Sequence, residues 1–368
     1  MELAQLRDAI ADVDRALLEL LRRRMELAAQ VGRIKAAQGL PVVVRDVEDR
    51  VLTRARQHAD ACGVSPEVME AIFAAVIRGS VERQHRVGVE LRRQHGQKVL
   101  VMGGAGAMGG WFRQFLALVG HQVEALDPAW SPVPPAEGLY THLDQAPLQE
   151  YAFIIVAVPL DRTPAVLSEL ARRTPPGLIV EIASIKSHLR EALEEAQRLG
   201  VKVACLHPMF GPGKSPYQAL TFVLACRGEA DAERQAVLPL LQHPYTHLIP
   251  VPFPHHDRLM GWLLGLAHLT GMLFGRALAA SGLDPRELAA CASTTFQRQA
   301  ATAASVLSED PDLYLDIQRL NPHRREVYDA TRRSLEAIVS LVEAGDREGF
   351  RQLMQEARQA LPEVEGRW

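Results

Sequence analysis

Between Lys98 and Gly109 the chain reads KVLVMGGAGAMG, and no other stretch constrains the fold as much. The apolar run Val99 to Met102 leads into Gly104, Gly106 and Gly109, spaced G-x-G-x-x-G. Trp111 to Val119 then reads as helix, and the following run HQVEALD ends in Asp127. Strand, glycine turn, helix, strand and acid in that order form the dinucleotide-binding fingerprint. Gly104 would permit the tight turn, Gly106 the approach of backbone to a pyrophosphate, and Gly109 close packing of helix on strand. Ala105, Ala107 and Met108 complete the loop, whose helix start offers free N–H groups to the phosphates. Asp127 would accept from a ribose diol and repel a 2′-phosphate, which selects NAD over NADP. Such a fingerprint normally opens its domain, so the residues that precede it here must form a separate unit.

In that leading segment Leu3, Leu6, Ile10, Val13, Leu17, Leu20, Leu27, Val31 and Ile34 follow helical spacing. They predict one long helix, ended by Gly39-Leu40-Pro41. A second helix is expected over Asp46–Ala61, and a third from the Ser65 N-cap, with Pro66 at its first position, towards Gln84. The first helix carries more apolar stripe than three helices of one chain can cover, so burial against a second copy is expected. Arg24 interrupts the stripe, and a buried guanidinium needs an anion. Lys35 returns to nearly the same face about 16 Å further on, so both could grip one small dianion. Arg7 lies about 42 Å from Lys35 along the helix and would reach such a ligand only from the partner of an intertwined dimer.

LRDAIADVDRALLELLRRRMELAAQVGRIK resembles the helical chorismate mutases, intertwined dimers of three-helix chains, over about residues 1–90. The resemblance implies that Arg7 of the partner, Arg24 and Lys35 bind the carboxylates of chorismate. Glu48, Ser80 and Gln84 would complete the pocket, with Lys35 and Gln84 placed for the ether oxygen. Such a site needs only to hold a compact conformer and stabilise developing charge. Val47 stands where the family pattern has an arginine, so a second reading makes this segment a dimerising or regulatory module.

Past the glycine turn, FIIVAVP (Phe153–Pro159), GLIVEIAS (Gly177–Ser184) and VKVACLHP (Val201–Pro208) read as buried parallel strands. Helices are expected at Pro164–Arg173 and Leu189–Leu199, and a turn-rich connector at Trp130–Glu137. Three strand ends carry candidate groups: Val158-Pro159 as a cofactor wall, Ser184 with Lys186, and His207 in LHPMFGPG. An imidazole rigidified by Pro208 and Pro212 beside a dinucleotide suits proton transfer near neutrality.

The G-x-G-x-M-G loop, I-V-A-V-P, E-I-A-S-I-K and L-H-P-M-F-G-P make residues 98–330 similar to prephenate dehydrogenases. The whole chain thus resembles the bifunctional chorismate mutase/prephenate dehydrogenase family of tyrosine biosynthesis. The resemblance implies NAD as cofactor, His207 as base on the ring hydroxyl, Ser184 orienting that hydroxyl and Lys186 shaping the pocket. It further implies a homodimer and tyrosine as feedback inhibitor. From His255 onward the sequence is helical, and His256 and His268 match the family's H-x(11)-H spacing. His268 would approach substrate. Ser305 stands where the family has a carboxylate-binding arginine, and Arg298 is the candidate replacement, with Gln297, Gln318, Arg319 and Asn321 nearby. Prephenate and arogenate stay open as substrates.

Three domains are therefore expected in the 368 residues: helical over 1–93, a doubly wound Rossmann-type α/β domain over 97–252, and a helical substrate and dimerisation domain over 253–368. A net charge of −3 offers no general attraction to nucleic acid or an anionic membrane. Cys62, Cys205, Cys226 and Cys291 are too dispersed for a metal knuckle or disulfide framework. The opening MELAQLRDAIADVD lacks a secretory apolar core, and no apolar run reads as long enough to cross a bilayer. A reducing cytoplasm is expected, with no metal.

Overall fold

The fold comes from a computed structural model that describes residues 3–92, 96–131, 137–241 and 245–361. Helix α1 runs unbroken over Leu3–Gln38, α2 over Arg45–His58 and α3 over Pro66–Arg92, two turns beyond the expected end near Gln84. Ala28, Ala29 and Gly32 are the buried residues of α1. A Cβ added to Gly32 would lie 2.9 Å from Gln84 Cα, so α1 and α3 meet backbone to backbone. Along the rest of the stripe Leu3, Ile10, Leu17, Leu20 and Ile34 remain more than half exposed in the single chain.

The central sheet is built from β1 (Lys98–Met102), β2 (Gln122–Leu126), β3 (Leu139–Tyr140), β4 (Phe153–Val156), β5 (Leu178–Glu181), β6 (Val203–Pro208), β7 (Leu220–Cys226) and β8 (Thr246–Pro252). Its order is β3-β2-β1-β4-β5-β6-β7-β8. The three strands expected after the glycine turn appear as β4, β5 and β6, parallel and buried. The sheet is not parallel throughout: β7 runs antiparallel to β6 and parallel to β8. The loop 209–219, too short for a crossover helix, forces that reversal. Helices α4 (Ala107–Leu118), α5 (Thr163–Arg172), α6 (Arg190–Arg198) and α7 (Ala230–Leu241) connect the strands. The strand order reverses between β1 and β4, the switch point at which such sheets bind ligands. Most of the connector expected at Trp130–Glu137 falls on 132–136, outside the described residues.

The chain divides into two units, Met1–Ala183 with Glu191–Pro252, and Ser184–Arg190 with Phe253–Trp368. The second unit therefore takes a segment, Ser184–Arg190, that its place in the sequence assigns to the α/β domain. The remaining elements of this unit are α8 (Phe253–Met260), a π-helical turn at Gly261–Leu266, α9 (Ala267–Ser281), α10 (Pro285–Ala290), α11 (Thr294–Leu307), α12 (Pro311–Leu320), α13 (Arg324–Ala344) and α14 (Arg347–Ala360). The expectation about bilayer-crossing runs needs correction here. The π-turn joins α8 to α9, and Phe253–Ser281 is one 29-residue helical run, long and apolar enough by length and composition. The polar HHDR near its start hides that length in the sequence, and its buried Asp257 is held by hydrogen bonds inside the unit.

Candidate active sites

Helices α1, α2 and α3 enclose a pocket of about 150 Å3 lined by Arg24, Lys35, Glu48, Ser80 and Gln84. Five of the six residues assigned to an anion-binding pocket thus come together, although they span 60 positions of sequence. Arg24 donates to the Val76 carbonyl at 3.1 Å and to Ser80 Oγ; burial pulls the pKa of its guanidinium down. Lys35 Nζ donates to the Val42 carbonyl at 2.7 Å. Burial, reinforced by Asp49, pushes the Glu48 carboxyl above its ordinary range, against the pull of Lys35 and Arg45. Gln84 Oε1 is buried without a hydrogen-bond partner among the described residues. Val47, half-exposed, lines the pocket with Val42, Val44 and Val51, so the position at which the family pattern has an arginine borders it. Arg7 stands exposed on the first turns of α1 and does not line the pocket.

Beyond the C-terminal ends of β1, β2 and β4 lies a cleft of about 740 Å3, lined by Gly103, Ala105, Gly106, Asp127, Val158 and Pro159 among others. The tight turn belongs to Gly103, at φ +78°, and not to Gly104 as expected. Gly104 is required for a different reason, because a Cβ there would lie 2.8 Å from that of Ala125. Gly109 packs on the Gly103 carbonyl, as its place in the fingerprint demands. Around Gly106 a Cβ would meet nothing closer than the Gly103 carbonyl at 3.3 Å, which leaves that side to a ligand. Gly106 also caps α4, with no side chain bonded to the helix start. Ala107 and Met108 form the first turn, and the Met108 side chain packs on the core, so only its backbone can serve a phosphate. Asp127 accepts from the Ala105 N–H and the Ala129 N–H, each at 2.9 Å. A carboxylate has lone pairs beyond these two bonds, so it ties the glycine loop and can still accept from a ribose. These residues fit a bound dinucleotide.

At the same edge of the sheet β6 ends in His207 and Pro208, with His207 opposite Val223 of β7 and 3% exposed. In the second unit Lys186 is fully buried and Ser184 half-buried. Their segment is anchored by Asp257, which accepts from the Lys186 N–H at 2.9 Å and the Ser187 N–H at 2.7 Å. His256 Nδ1 donates to Asp257 at 2.7 Å, and Asn321 donates to the Asp257 carbonyl at 2.7 Å. Burial would raise the Asp257 carboxyl, but the bonds from His256, Ser187 and the two backbone amides outweigh it and hold the group at about 2. Burial and the nearby Lys186 ammonium depress His256, so a neutral imidazole faces an ionised carboxylate. Asp257 escaped the sequence reading, although a carboxylate near the start of a 29-residue apolar helical run was a signal for it.

His268 stacks on Tyr314 with ring centroids 4.1 Å apart, its Nδ1 buried and unbonded among the described residues, and burial lowers its pKa. Arg298 is exposed on α11. The other polar candidates are committed elsewhere. Gln318 donates to the Gly265 carbonyl within the π-turn, Asn321 holds Asp257, and Arg319 pairs with Asp316.

Residues 6–85 match the chorismate mutase type II family, 138–233 the prephenate dehydrogenase nucleotide-binding domain and 253–356 the prephenate dehydrogenase dimerization domain. The chain is 31% identical to the T-protein of Enterobacter agglomerans over 350 residues, 95% of this chain and 90% of that one. The chain belongs to the T-protein family. Another T-protein, from Haemophilus influenzae, is 26% identical over 95% of this chain and 89% of its own. Solved structures share the fold of the dehydrogenase part. Prephenate dehydrogenase from A. aeolicus, in complex with hydroxyphenyl propionate and NAD+, superposes with a TM-score of 0.57 at 17% identity, over 72% of this chain and 96% of that one. Synechocystis arogenate dehydrogenase gives 0.54 at 18% identity, over 72% and 98%. Within the T-protein family this chain is an enzyme with a mutase and a dehydrogenase domain.

Proposed function

We propose that the α1–α3 pocket rearranges chorismate to prephenate, and that the sites around β6 and α8–α9 carry out the oxidative decarboxylation of prephenate. The observation that carries this reading is the convergence of Arg24, Lys35, Glu48, Ser80 and Gln84 in a chain that also sets a buried imidazole at the glycine-turn edge of its sheet. In the mutase pocket Arg24 and Lys35 hold the two carboxylates, with Arg7 of a second copy, while Lys35 and Gln84 stabilise the ether oxygen as its bond breaks.

NAD is the cofactor and supplies the hydride acceptor. His207 accepts the proton of the ring 4-hydroxyl as hydride leaves C4; the bond to the ring carboxylate then breaks, carbon dioxide departs and its electron pair completes the aromatic ring. Ser184 orients the hydroxyl, Lys186 contributes positive potential, and His268 and Arg298 meet the substrate's anionic end. The enzyme works as a homodimer in the cytoplasm, and tyrosine, which shares the product's hydroxyphenyl ring, acts as feedback inhibitor.

The test is NADH formation by pure protein with NAD, supplied separately with prephenate and with chorismate. NADH from both is expected. Replacement of His207 by Asn should lower the prephenate rate by about a thousandfold with NAD affinity kept, the loss typical of a removed base. An unchanged rate in that variant would remove the imidazole from the chemistry.

A further inference from the structure

Helix α3 presents different side chains to two places. Ser80 and Gln84 line the pocket shared with α1 and α2. Glu82, His85 and Arg86 instead grip the loop 209–219, which begins two residues past His207. Ser215 Oγ donates to Glu82 at 3.0 Å, and the Arg86 guanidinium lies 4.3 Å from the centre of the Tyr217 ring. His85 Nδ1 is 2.8 Å from the Tyr217 carbonyl and must donate, since a carbonyl only accepts. Its ring is buried and stacks on Tyr245 at 3.6 Å. From the other side α4 holds the same loop: Trp111 Nε1 donates to the Lys214 carbonyl at 2.6 Å, and its ring packs on Phe210 at 4.8 Å.

We propose that His85, with Glu82 and Arg86, forms a positioning cluster through which the mutase domain sets the loop after His207, so that filling the α1–α3 pocket changes how the dehydrogenase takes prephenate. The inference rests on the two-site reading above. Two features let α3 transmit a change. Gly32 meets Gln84 backbone to backbone, which leaves no slack between α1 and α3. Gln84 Oε1 is buried and lacks a partner among the described residues, so a donor on an incoming ligand gains a bond to the residue next to His85. Coupling of this kind is reciprocal for binding.

The experiment uses the full-length protein and, as probe, a non-reacting bicyclic dicarboxylate that mimics the transition state of the chorismate rearrangement. Calorimetry measures its binding, and initial rates of NADH formation give KM and kcat for prephenate with and without it. Saturating probe should shift the prephenate KM about fivefold or more in the wild type, with kcat within about twofold. His85→Ala should lose that shift while its mutase turnover and thermal midpoint stay near wild type. His85→Asn, which keeps an N–H donor, should preserve it. Probe that binds without moving KM in the wild type overturns the proposal, whether or not the alanine variant folds. So does a shift of equal size in a folded His85→Ala. Failure of the probe to bind, with no chorismate turnover, overturns it by removing the mutase reading beneath it.

Discussion

Val47 lines the α1–α3 pocket with other valines and is 46% exposed, while Arg24 and Lys35 supply the cations there. A dianion held by two cations of its own chain should gain from a third, and a charge-assisted bond contributes about 1.5–3 kcal/mol. Val47→Arg should therefore raise kcat/KM for chorismate by about tenfold or more, read in a direct mutase assay, with prephenate oxidation unchanged. Asp257 allows a prediction about pH. Its carboxyl sits at about 2 against an ordinary 3.8, so its contribution to stability is complete above the higher value and is lost as pH falls through the lower. That shift corresponds to about 2 kcal/mol. Thermal midpoints of wild type and Asp257→Asn should differ at neutral pH and converge as pH falls from about 4 to 2. A constant gap across that window would assign the difference to packing alone.

At the scale of elements, the α1–α3 crossing depends on an absent side chain. Gly32→Ala would press a Cβ onto Gln84 backbone atoms at 2.9–3.1 Å, which a flexible side-chain end could yield to and a helix backbone cannot. The substitution should destabilise the helical domain by about 1–3 kcal/mol and cut mutase turnover, measured by denaturation and by rate. Dehydrogenase turnover at saturating prephenate should fall less. The second unit shows the converse case. The carbonyl of Gly265, inside the π-turn Gly261–Leu266, accepts from buried Gln318, and Tyr328 donates in turn to Gln318 at 2.8 Å. A polar side chain that composition offers to a ligand is consumed by helix geometry.

For the whole molecule, the unburied stripe of α1 and the remoteness of Arg7 both fit the proposed dimer, with a second copy laid along the helix. Arg7→Ala and Lys35→Ala should each abolish most chorismate turnover as pure variants. Mixed and re-equilibrated, they should regain activity, because one of the two pockets in a mixed dimer then holds an intact Lys35 and receives an intact Arg7. Chorismate assays before and after mixing decide the matter, and no recovery would place Arg7 outside the partner's pocket.

Periodicity and local motifs determined the long first helix, the glycine turn, strands β4–β6 and the shared face of Arg24 and Lys35, while Glu48, Ser80 and Gln84 entered through the family resemblance. Helical spacing fixes which side chains share a face, and a glycine turn carries its steric reasons within a few residues. Tertiary structure alone decided the rest. The left-handed turn fell to Gly103, where a Cβ would also strike the Ala157 carbonyl on the β4 side, while Gly104 is held to glycine by Ala125 on the neighbouring strand. The segment bearing Ser184 and Lys186 joined the C-terminal helices because a carboxylate seventy residues away, Asp257, accepts its backbone N–H groups. Gln318 and Asn321 were withdrawn from any ligand by carbonyls on another helix. In each case the deciding partner is distant in sequence, and only the fold determines which buried polar groups satisfy one another.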